Sequence, residues 1–214
     1  MTATAVSGRK GSYGQHRDAT AVDRLGVWLS SHAVLRHASL TGARFADIGC
    51  GFEATFARTQ LGVCASALLV DIALAPDLHR HPKVDVVEGA LPAALSDQPD
   101  ASRDVVLCLS VLEHLTEPDG ALAEIRRLLA PGGLALINVP SWRGKRALET
   151  AAFRLGVSPA EEMDDHKAYY DPRDLWPMLV RAGFRPRHIR CHTHKLGLNT
   201  FAVCRLPAGE DHVR

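Results

Sequence analysis

Residues 45–51, Phe-Ala-Asp-Ile-Gly-Cys-Gly, place an acid and two glycines at the end of a short apolar run. The pattern predicts a buried strand that breaks into a tight turn and opens a helix. Glycine at 49 lets the backbone turn where a Cβ would clash. Glycine at 51 lets a ligand lie against bare main chain at a helix N-terminus, where unpaired N–H groups point outward. These residues therefore predict a ligand site at the end of a strand.

A second acid, Asp71, follows the next apolar run and lies 20 residues after Gly51. At this spacing, on the tip of the next strand, a carboxylate suits the hydroxyls of a ribose. Residues 49–54 also match the G-x-G-x-x-G/A pattern of dinucleotide sites. The two motifs together indicate a nucleoside cofactor, and an NAD(P)-binding oxidoreductase is one interpretation of them.

The elements that must position these residues alternate between strands and helices. Predicted strands cover residues 44–48, 67–70, 84–88, 104–110, 134–139, 187–191 and 199–205, and predicted helices cover residues 19–40, 52–60, 117–130, 145–155 and 172–182. The last two strands should pair as a hairpin. The order predicts an α/β fold: a doubly wound, mostly parallel seven-stranded sheet with an antiparallel C-terminal hairpin.

Local signals set several helix boundaries. An approximate apolar stripe marks the first helix; it consists of Val22, Leu25, Leu29, Val34 and Leu35. Thr116 and Asp119 form a capping pattern, and the Pro-Gly-Gly run at 131–133 is expected to end that helix. Asp171 and Pro172 predict an N-cap followed by the first helical residue, and Pro177 should kink this last helix or delay its start.

Composition limits the classes of function. A chain of 214 residues with 46% hydrophobic and 23% charged residues fits one globular domain, and its formal charge of +1 gives no electrostatic case for nucleic acid. No apolar run approaches the roughly 18 residues of a membrane span, and the first ten residues carry no apolar core of a signal peptide. Five cysteines without a C-x-x-C pair read as reduced thiols, so we expect a cytoplasmic protein.

Several of these segments, taken in order, carry a family resemblance. They are residues 47–51, Asp71, residues 104–115, residues 128–138, residues 179–184 and the terminal hairpin. Together they resemble the class I S-adenosylmethionine-dependent methyltransferases, most nearly the group typified by quinone-biosynthesis methyltransferases, over roughly residues 43–206. The resemblance implies S-adenosylmethionine as the cofactor, S-adenosylhomocysteine as the product, and methylation of an oxygen, nitrogen or carbon atom of a small-molecule acceptor.

The resemblance implies roles around the methionine part of the cofactor. Gly49 and Gly51 would pass along this moiety, with Cys50 between them as a small apolar side chain. Asp47 would hold the amino group of the methionine, directly or through water. Ser110, at the end of the strand predicted over 104–110, would lie near the sulfonium.

The nucleoside part of the cofactor is implied to lie further along the sheet. Asp71 would accept hydrogen bonds from both ribose hydroxyls, and Ile72 would lie against the adenine. Many relatives read the adenine amino group with an acid where this chain has Ala90. The resemblance therefore leaves that contact to the backbone of Ala90 and Leu91.

The acceptor is expected near residues 161–170, an acidic and aromatic segment between the fifth strand and the last helix. Its alternative interpretation is a solvated acidic loop. In resembling enzymes a histidine in this region faces the acceptor, which would make His166 a base or a substrate orienter, with His114 as the second candidate. An apolar pocket wall is predicted, or packing under the loop, for Trp142, Tyr169 and Tyr170.

Two groups of side chains keep open interpretations. His188, His192 and His194 would share one face of a strand, which permits a metal site, but no partner carboxylate is evident, so exposed histidines are favoured and no metal is assigned. Glu113 is expected at a helix end or at the surface. The basic residues at 143, 145 and 146 form a solvated helix face or contact an anionic acceptor.

The predicted organisation is a mobile segment over residues 1–18, one domain over 19–206 and a tail over 207–214. Within the domain, residues 140–172 form an insertion on the acceptor side. Asp47 and the terminal hairpin favour a methyltransferase over an NAD(P)-dependent enzyme, while a protein that binds the cofactor without transferring methyl stays open. The oligomeric state, a homodimer included, is not determined.

Overall fold

The computed structural model of the protein describes residues 11–15, 21–147 and 167–209. Seven strands form one sheet: β1 (Arg44–Ile48), β2 (Ser66–Asp71), β3 (Val84–Glu88), β4 (Arg103–Leu109), β5 (Leu129–Pro140), β6 (Ile189–His194) and β7 (Asn199–Arg205). The strands predicted at 44–48, 84–88 and 199–205 are confirmed at both ends, because each is a short apolar run bounded by turn residues.

The strand order across the sheet is β3-β2-β1-β4-β5-β7-β6. Strands β1 to β5 pair in parallel, and β7 runs antiparallel between β5 and β6. The carboxyl ends of β1 to β5, the start of β7 and the end of β6 therefore meet along one side of the sheet, which we call the carboxyl edge. The predicted doubly wound sheet with an antiparallel hairpin is confirmed.

Four α-helices have defined bounds within the described residues: α1 (Ala21–His37), α2 (Thr55–Gln60), α3 (Pro118–Leu128) and α4 (Pro172–Arg181). Residues 142–147 are also helical, three residues earlier than predicted, and the rest of the helix predicted over 145–155 lies outside the described residues. No helix among the described residues is long and apolar enough to cross a membrane.

Both faces of the sheet are covered by packed apolar side chains. Alternate residues of one strand point to opposite faces, so Ala46 and Ile48 pack in one cluster with α3 and α4, whereas Phe45 packs in the other with α1 and α2. The sheet is thus a buried layer, and its loops at the carboxyl edge are left to bind ligands.

The apolar stripe predicted for α1 is only partly correct. Val34 is fully buried, but Leu25 and Leu35 are 56% and 47% exposed. The helix ends at His37, before the predicted limit of 40, and its predicted start at residue 19 lies outside the described residues. The sparse apolar stripe predicted that a helix forms here, but it did not predict which face of the helix packs against the sheet.

The capping pattern predicted for α3 is wrong. Its N-cap is Glu117 and makes no side-chain cap. Thr116 accepts a hydrogen bond from Lys167 Nζ at 2.8 Å, and Asp119 pairs with Arg181 at 3.0 Å, so tertiary partners take both side chains. The helix ends at Leu128, and β5 already runs through residues 131–133, where a helix end was expected.

The last helix begins where the sequence indicates. Asp171 is its N-cap, Pro172 is its first residue, and Asp174 Oδ2 accepts the backbone N–H of Asp171 at 2.9 Å. Pro177 lies inside the helix and does not delay its start. The helix is therefore fixed at the end that faces the carboxyl edge.

Candidate active site

The turn after β1 has a left-handed backbone at two positions, and both positions are glycines. Gly49 and Gly51 have φ values of +73° and +76°, in the left-handed region that other residues avoid. The Gly49 N–H donates to the carbonyl of Val70 at 2.7 Å, which ties the turn to β2. A Cβ at position 49 would overlap the side chain of Val111, which follows β4. Glycine is thus required here by both the turn and the packing.

The helix predicted from residue 52 begins later than expected. Ala54 has φ +45°, and α2 covers only Thr55–Gln60. The Gly51 N–H does not point to open space, because it donates to Asp71 Oδ2 at 2.7 Å. The prediction of an unpaired, outward-pointing N–H at Gly51 is therefore wrong, and the turn is organised around the carboxylate of Asp71.

Asp71 ends β2 with both carboxylate oxygens engaged by its own chain. Oδ2 accepts the Gly51 N–H, while Oδ1 accepts the N–H of Ile72 at 2.8 Å. The hydroxyl of Ser12 also lies 2.5 Å from Oδ1. A hydroxyl on this carboxylate is the contact that the sequence analysis assigned to a ribose, and here Ser12 provides it.

Residues 11–15 lie across the glycine turn, although the sequence predicted a mobile segment over 1–18. Ser12 is buried; its hydroxyl lies 2.6 Å from the carbonyl of Ala73 and accepts the N–H of Ala73 at 2.7 Å. The carbonyl of Tyr13 accepts the N–H of Phe52 at 2.9 Å, and it would meet a Cβ at Gly51 at 3.2 Å. Residues 11–15 thus cover the turn as a strap.

Asp47 lies beneath the turn and is 4% exposed. Burial, together with the nearby carboxylate of Asp71, raises the pKa of Asp47 to about 7. A buried carboxylate of this kind favours a neighbouring cation. An ammonium or sulfonium group fits this environment, so the residues present suit the cationic methionine end of S-adenosylmethionine.

Ser110 follows β4 in a left-handed conformation with φ +59°. Its N–H donates to the carbonyl of Asn138 at 2.7 Å, and the amide of Asn138 lies 3.4 Å from its hydroxyl. Asn138 is fully buried, and its Oδ1 has no hydrogen-bond partner among the described residues. Sequence reasoning missed Asn138, although a polar residue near the end of an apolar strand was a usable signal.

The three residues expected around the adenine lie at the surface or near it. Ile72 is partly exposed, Ala90 is exposed and Leu91 is half-buried. The carbonyl of Ala90 accepts the N–H of Ala94 at 2.9 Å, so one of its two lone pairs is already used. The backbone contacts assigned to Ala90 and Leu91 stay predictions.

The turn after β4 contains a buried acid. Glu113 is 1% exposed, so its expected place at the surface is wrong. Its carbonyl accepts the N–H of Lys167 at 2.7 Å, which brings the chain before α4 to the end of β4. His114 is half-buried in the same turn. His166, the first choice of base, lies outside the described residues.

The aromatic residues expected at the acceptor divide into two groups. Trp142 is 44% exposed, and its ring centroid lies 5.7 Å from that of Tyr169, with Lys145 Nζ over both rings at 5.7 and 5.9 Å. Tyr170 is buried in the core with Leu175. The structure thus places Tyr170 in the core, and of these three aromatic residues Trp142 alone is exposed.

The expected face of three histidines does not form. His188 lies in the turn before β6, whereas His192 and His194 are on the strand and contact the ring of Phe201 together with His37. Burial lowers the pKa of His37 and of His194. The described residues hold no group of three His, Cys, Asp or Glu side chains arranged for a metal ion.

Comparison with known proteins agrees with this geometry. Residues 46–137 match the methyltransferase domain family. A ubiquinone biosynthesis O-methyltransferase of Xylella fastidiosa (strain M23) is 30% identical over 164 residues, which are 70% of this chain and 64% of that protein. The protein of the same name from Methylococcus capsulatus is 28% identical over 198 residues, 80% of each chain. The chain thus matches less than two thirds of the length of the Xylella relative.

A solved structure described as a SAM-dependent methyltransferase from Archaeoglobus fulgidus has the same fold. It superposes with a TM-score of 0.60 at 17% identity, over 83% of this chain and 93% of that one. The two share the fold, and the sequence matches are to methyltransferases, so this chain resembles the class I S-adenosylmethionine-dependent methyltransferases. S-adenosylmethionine is the cofactor of that class. The relatives named above are proteins to which this chain is similar.

Proposed function

We propose that the protein transfers a methyl group from S-adenosylmethionine to an oxygen, nitrogen or carbon atom of a small molecule. The observation that carries this proposal is the pair of carboxylates at the ends of β1 and β2. Asp47 is buried beneath the glycine turn, and Asp71 ends the next strand. One acid suits the amino group of the methionine and the other suits the ribose hydroxyls, at the spacing that a nucleoside cofactor needs.

The chain's residues would align and shield the reactants. Bound S-adenosylmethionine supplies a methyl group already activated on a sulfonium, so positioning the acceptor in line can account for several kcal/mol of the barrier. Val111 closes over Gly49, and Ser110 and Asn138 lie together at the ends of β4 and β5. These residues would exclude water and define the place of the methyl group.

Cofactor binding would require one exchange of partners. The ribose hydroxyls would take the place of Ser12 on Asp71 Oδ1, since this oxygen already has two contacts. Residues 11–15 would then move or rearrange over the glycine turn. The strap is therefore part of the proposed cofactor site and not an independent segment.

A general base is needed only for a weakly acidic hydroxyl or a protonated amine. We propose His166 for this role, with His114, in the turn that follows β4, as the second candidate. Replacing His166 with Ala should lower kcat and flatten the pH profile of methyl transfer. A wild-type kcat with an unchanged profile would remove His166 from the proposal, and the same measurement on His114→Ala would test the alternative.

The proposed function is tested by labelled methyl transfer. The protein is incubated with S-adenosylmethionine carrying a radiolabelled methyl group and with a library of metabolites, and calorimetry measures S-adenosylhomocysteine binding in parallel. Label in a small molecule supports the proposal. Tight product binding without transfer to any fraction would favour a protein that binds the cofactor without catalysis. Binding of NAD in place of S-adenosylhomocysteine would overturn it.

A further inference from the structure

A groove of about 780 Å³ opens at the carboxyl edge. It lies at the end of β6, whereas Asp71 lies at the end of β2, near the other end of the strand order. Three segments line it: Arg143 from the helical residues 142–147, residues 171–173 at the start of α4, and residues 193–197 at the end of β6 and in the following turn. We call this the basic groove. Strand β7 separates β6 from β5, so the end of β6 in this groove is two strands from the end of β5, which carries Asn138, and three strands from the end of β4, which Ser110 follows.

The walls of the basic groove are tied together by hydrogen bonds. The hydroxyl of Ser141 donates to the carbonyl of Gly197 at 2.7 Å and accepts the N–H of Gly144 at 3.0 Å. The N–H of Trp142 donates to Asp171 Oδ1 at 3.2 Å. Each of the three segments is therefore bonded to another, and the groove is a preformed feature of the fold.

The charge of the basic groove is predominantly positive. Its lining residues include the cations Arg143, Arg173 and Lys195, against the single carboxylate of Asp171. That carboxylate accepts a backbone N–H, and its nearest approach to the Arg173 guanidinium is 4.0 Å. The guanidinium of Arg143 packs against Gly197, where a Cβ would lie 3.3 Å from Nη1. An anion entering the groove would meet the two arginines, while the ammonium of the lining residue Lys195 lies near α1, where a Cβ at Gly26 would be 3.8 Å from Nζ.

The backbone at Lys195, beside the basic groove, has an unusual conformation. Lys195 and Leu196 both have left-handed backbones, with φ +49° and +58°, and a pair of such residues without glycine costs energy that the surrounding structure must supply. The Lys195 side chain is largely buried, which lowers its pKa to about 8, while the carboxylate of Glu113 opposes that shift. A buried ammonium gains more from a bound anion than an exposed one does.

We propose that the basic groove binds an anionic group, a carboxylate or a phosphate, of the methyl acceptor, through Lys195, Arg143 and Arg173. The inference rests on the proposed function, since it names the chemistry of that function's acceptor. Arginine forks and a lysine point charge are the groups that bind carboxylates and phosphates in proteins. The nucleophile of the acceptor then projects along the edge toward Ser110.

The test uses the full chain saturated with S-adenosylhomocysteine and three probes of similar shape: benzoate, phenyl phosphate and benzamide. Ligand-observed NMR measures their dissociation constants. We expect one of the anions to bind at least about tenfold more tightly than neutral benzamide, since bonds to charged groups are stronger. A preference for benzoate identifies a carboxylate, and a preference for phenyl phosphate identifies a phosphate.

Variants assign the effect to the groove. Lys195→Met and Arg173→Gln should each weaken binding of the preferred anion several-fold, whereas Arg205→Gln, an exposed arginine on β7, should not. Arg173 is 82% exposed, so its replacement leaves the fold intact even if Lys195→Met does not fold. Equal binding of benzamide and both anions, or equal effects of Arg173→Gln and Arg205→Gln, would overturn the inference. Calorimetry of S-adenosylhomocysteine binding distinguishes the two failures. If the proposed function is wrong, the protein does not bind S-adenosylhomocysteine; if only the anion site is wrong, it still does.

Discussion

At the ends of β1 and β2 the carboxyl edge carries two acids, Asp47 and Asp71, whereas at the end of β6 it carries Lys195, with Arg143 and Arg173 beside it. We call these the acidic side and the basic side. On the acidic side, hydrogen bonds from Ser12 and from backbone N–H groups already hold the Asp71 carboxylate. On the basic side, the hydrogen bonds hold the walls of the groove.

The difference between the two sides matches the two ligands that we propose, which carry opposite charges. A cofactor with a sulfonium and an ammonium group suits the acidic side, and an anionic acceptor suits the basic side. Opposite charges on neighbouring ligands would also attract one another across the edge. One fold can thus separate the general task of holding the cofactor from the specific task of choosing an acceptor.

The largest effect on the acidic side should come from Asp71→Ala. Removing this carboxylate leaves the Gly51 N–H and the ribose hydroxyls without their charged acceptor. We expect S-adenosylhomocysteine to bind about 1–3 kcal/mol more weakly, as measured by calorimetry. Asp97→Ala, at an exposed loop acid, is the matched control. Wild-type affinity in the Asp71 variant would remove this residue from the cofactor site.

The basic side should be disrupted by Gly144→Ala. A Cβ at this position would overlap the carbonyl oxygen of Leu198, which accepts the N–H of Ser141 at 3.0 Å. We expect a loss of about 1–3 kcal/mol in the free energy of unfolding, typical of overpacking, with anion binding weakened and product binding kept. Denaturant unfolding measures the first, and Gly62→Ala, whose Cβ would meet no atom within 4 Å, is the control. Unchanged stability and anion binding would contradict the description of the groove.

Asp47→Asn should separate stability from cofactor binding. The folded protein holds the Asp47 proton more tightly than the unfolded chain, because its pKa of about 7 exceeds the ordinary value of 3.8. The ligand-free protein should therefore lose stability as pH rises from about 4 to about 7. The Asn variant should lack this loss, be more stable than the wild-type protein at pH 8, and bind S-adenosylhomocysteine more weakly. Parallel pH dependences of the two unfolding curves would show that Asp47 does not titrate in this range.

Ser12→Ala should have the smallest effect and the opposite sign. The variant frees Asp71 Oδ1 from the Ser12 hydroxyl, so a ribose no longer has to displace it. We expect product binding to tighten by about 0.5–1 kcal/mol, the size of one net hydrogen bond. Ser31→Ala, at a half-buried serine whose hydroxyl bonds to the Val27 carbonyl within α1, is the control in the same titration. Weaker binding would mean that Ser12 contacts the cofactor instead of competing with it.

The sequence alone predicted the fold class, the bounds of β1, β3 and β7, and the α4 cap at Asp171. It also predicted the glycine turn, whose left-handed residues are Gly49 and Gly51. These features depend on neighbouring residues: apolar runs, turn-forming residues and residues with unusual backbone freedom. Short-range patterns of this kind are readable because the interactions that they predict form within a few positions.

Tertiary structure alone determined which residues contact one another at the carboxyl edge. Ser12 reaches Asp71 across 59 positions, Lys167 reaches the carbonyl of Glu113, and Lys195 joins Arg143 in one groove. A serine in a glycine-bearing segment or a lysine in a hairpin turn gives no local sign of its partner, because burial and charge at such positions depend on chain segments that only folding brings together.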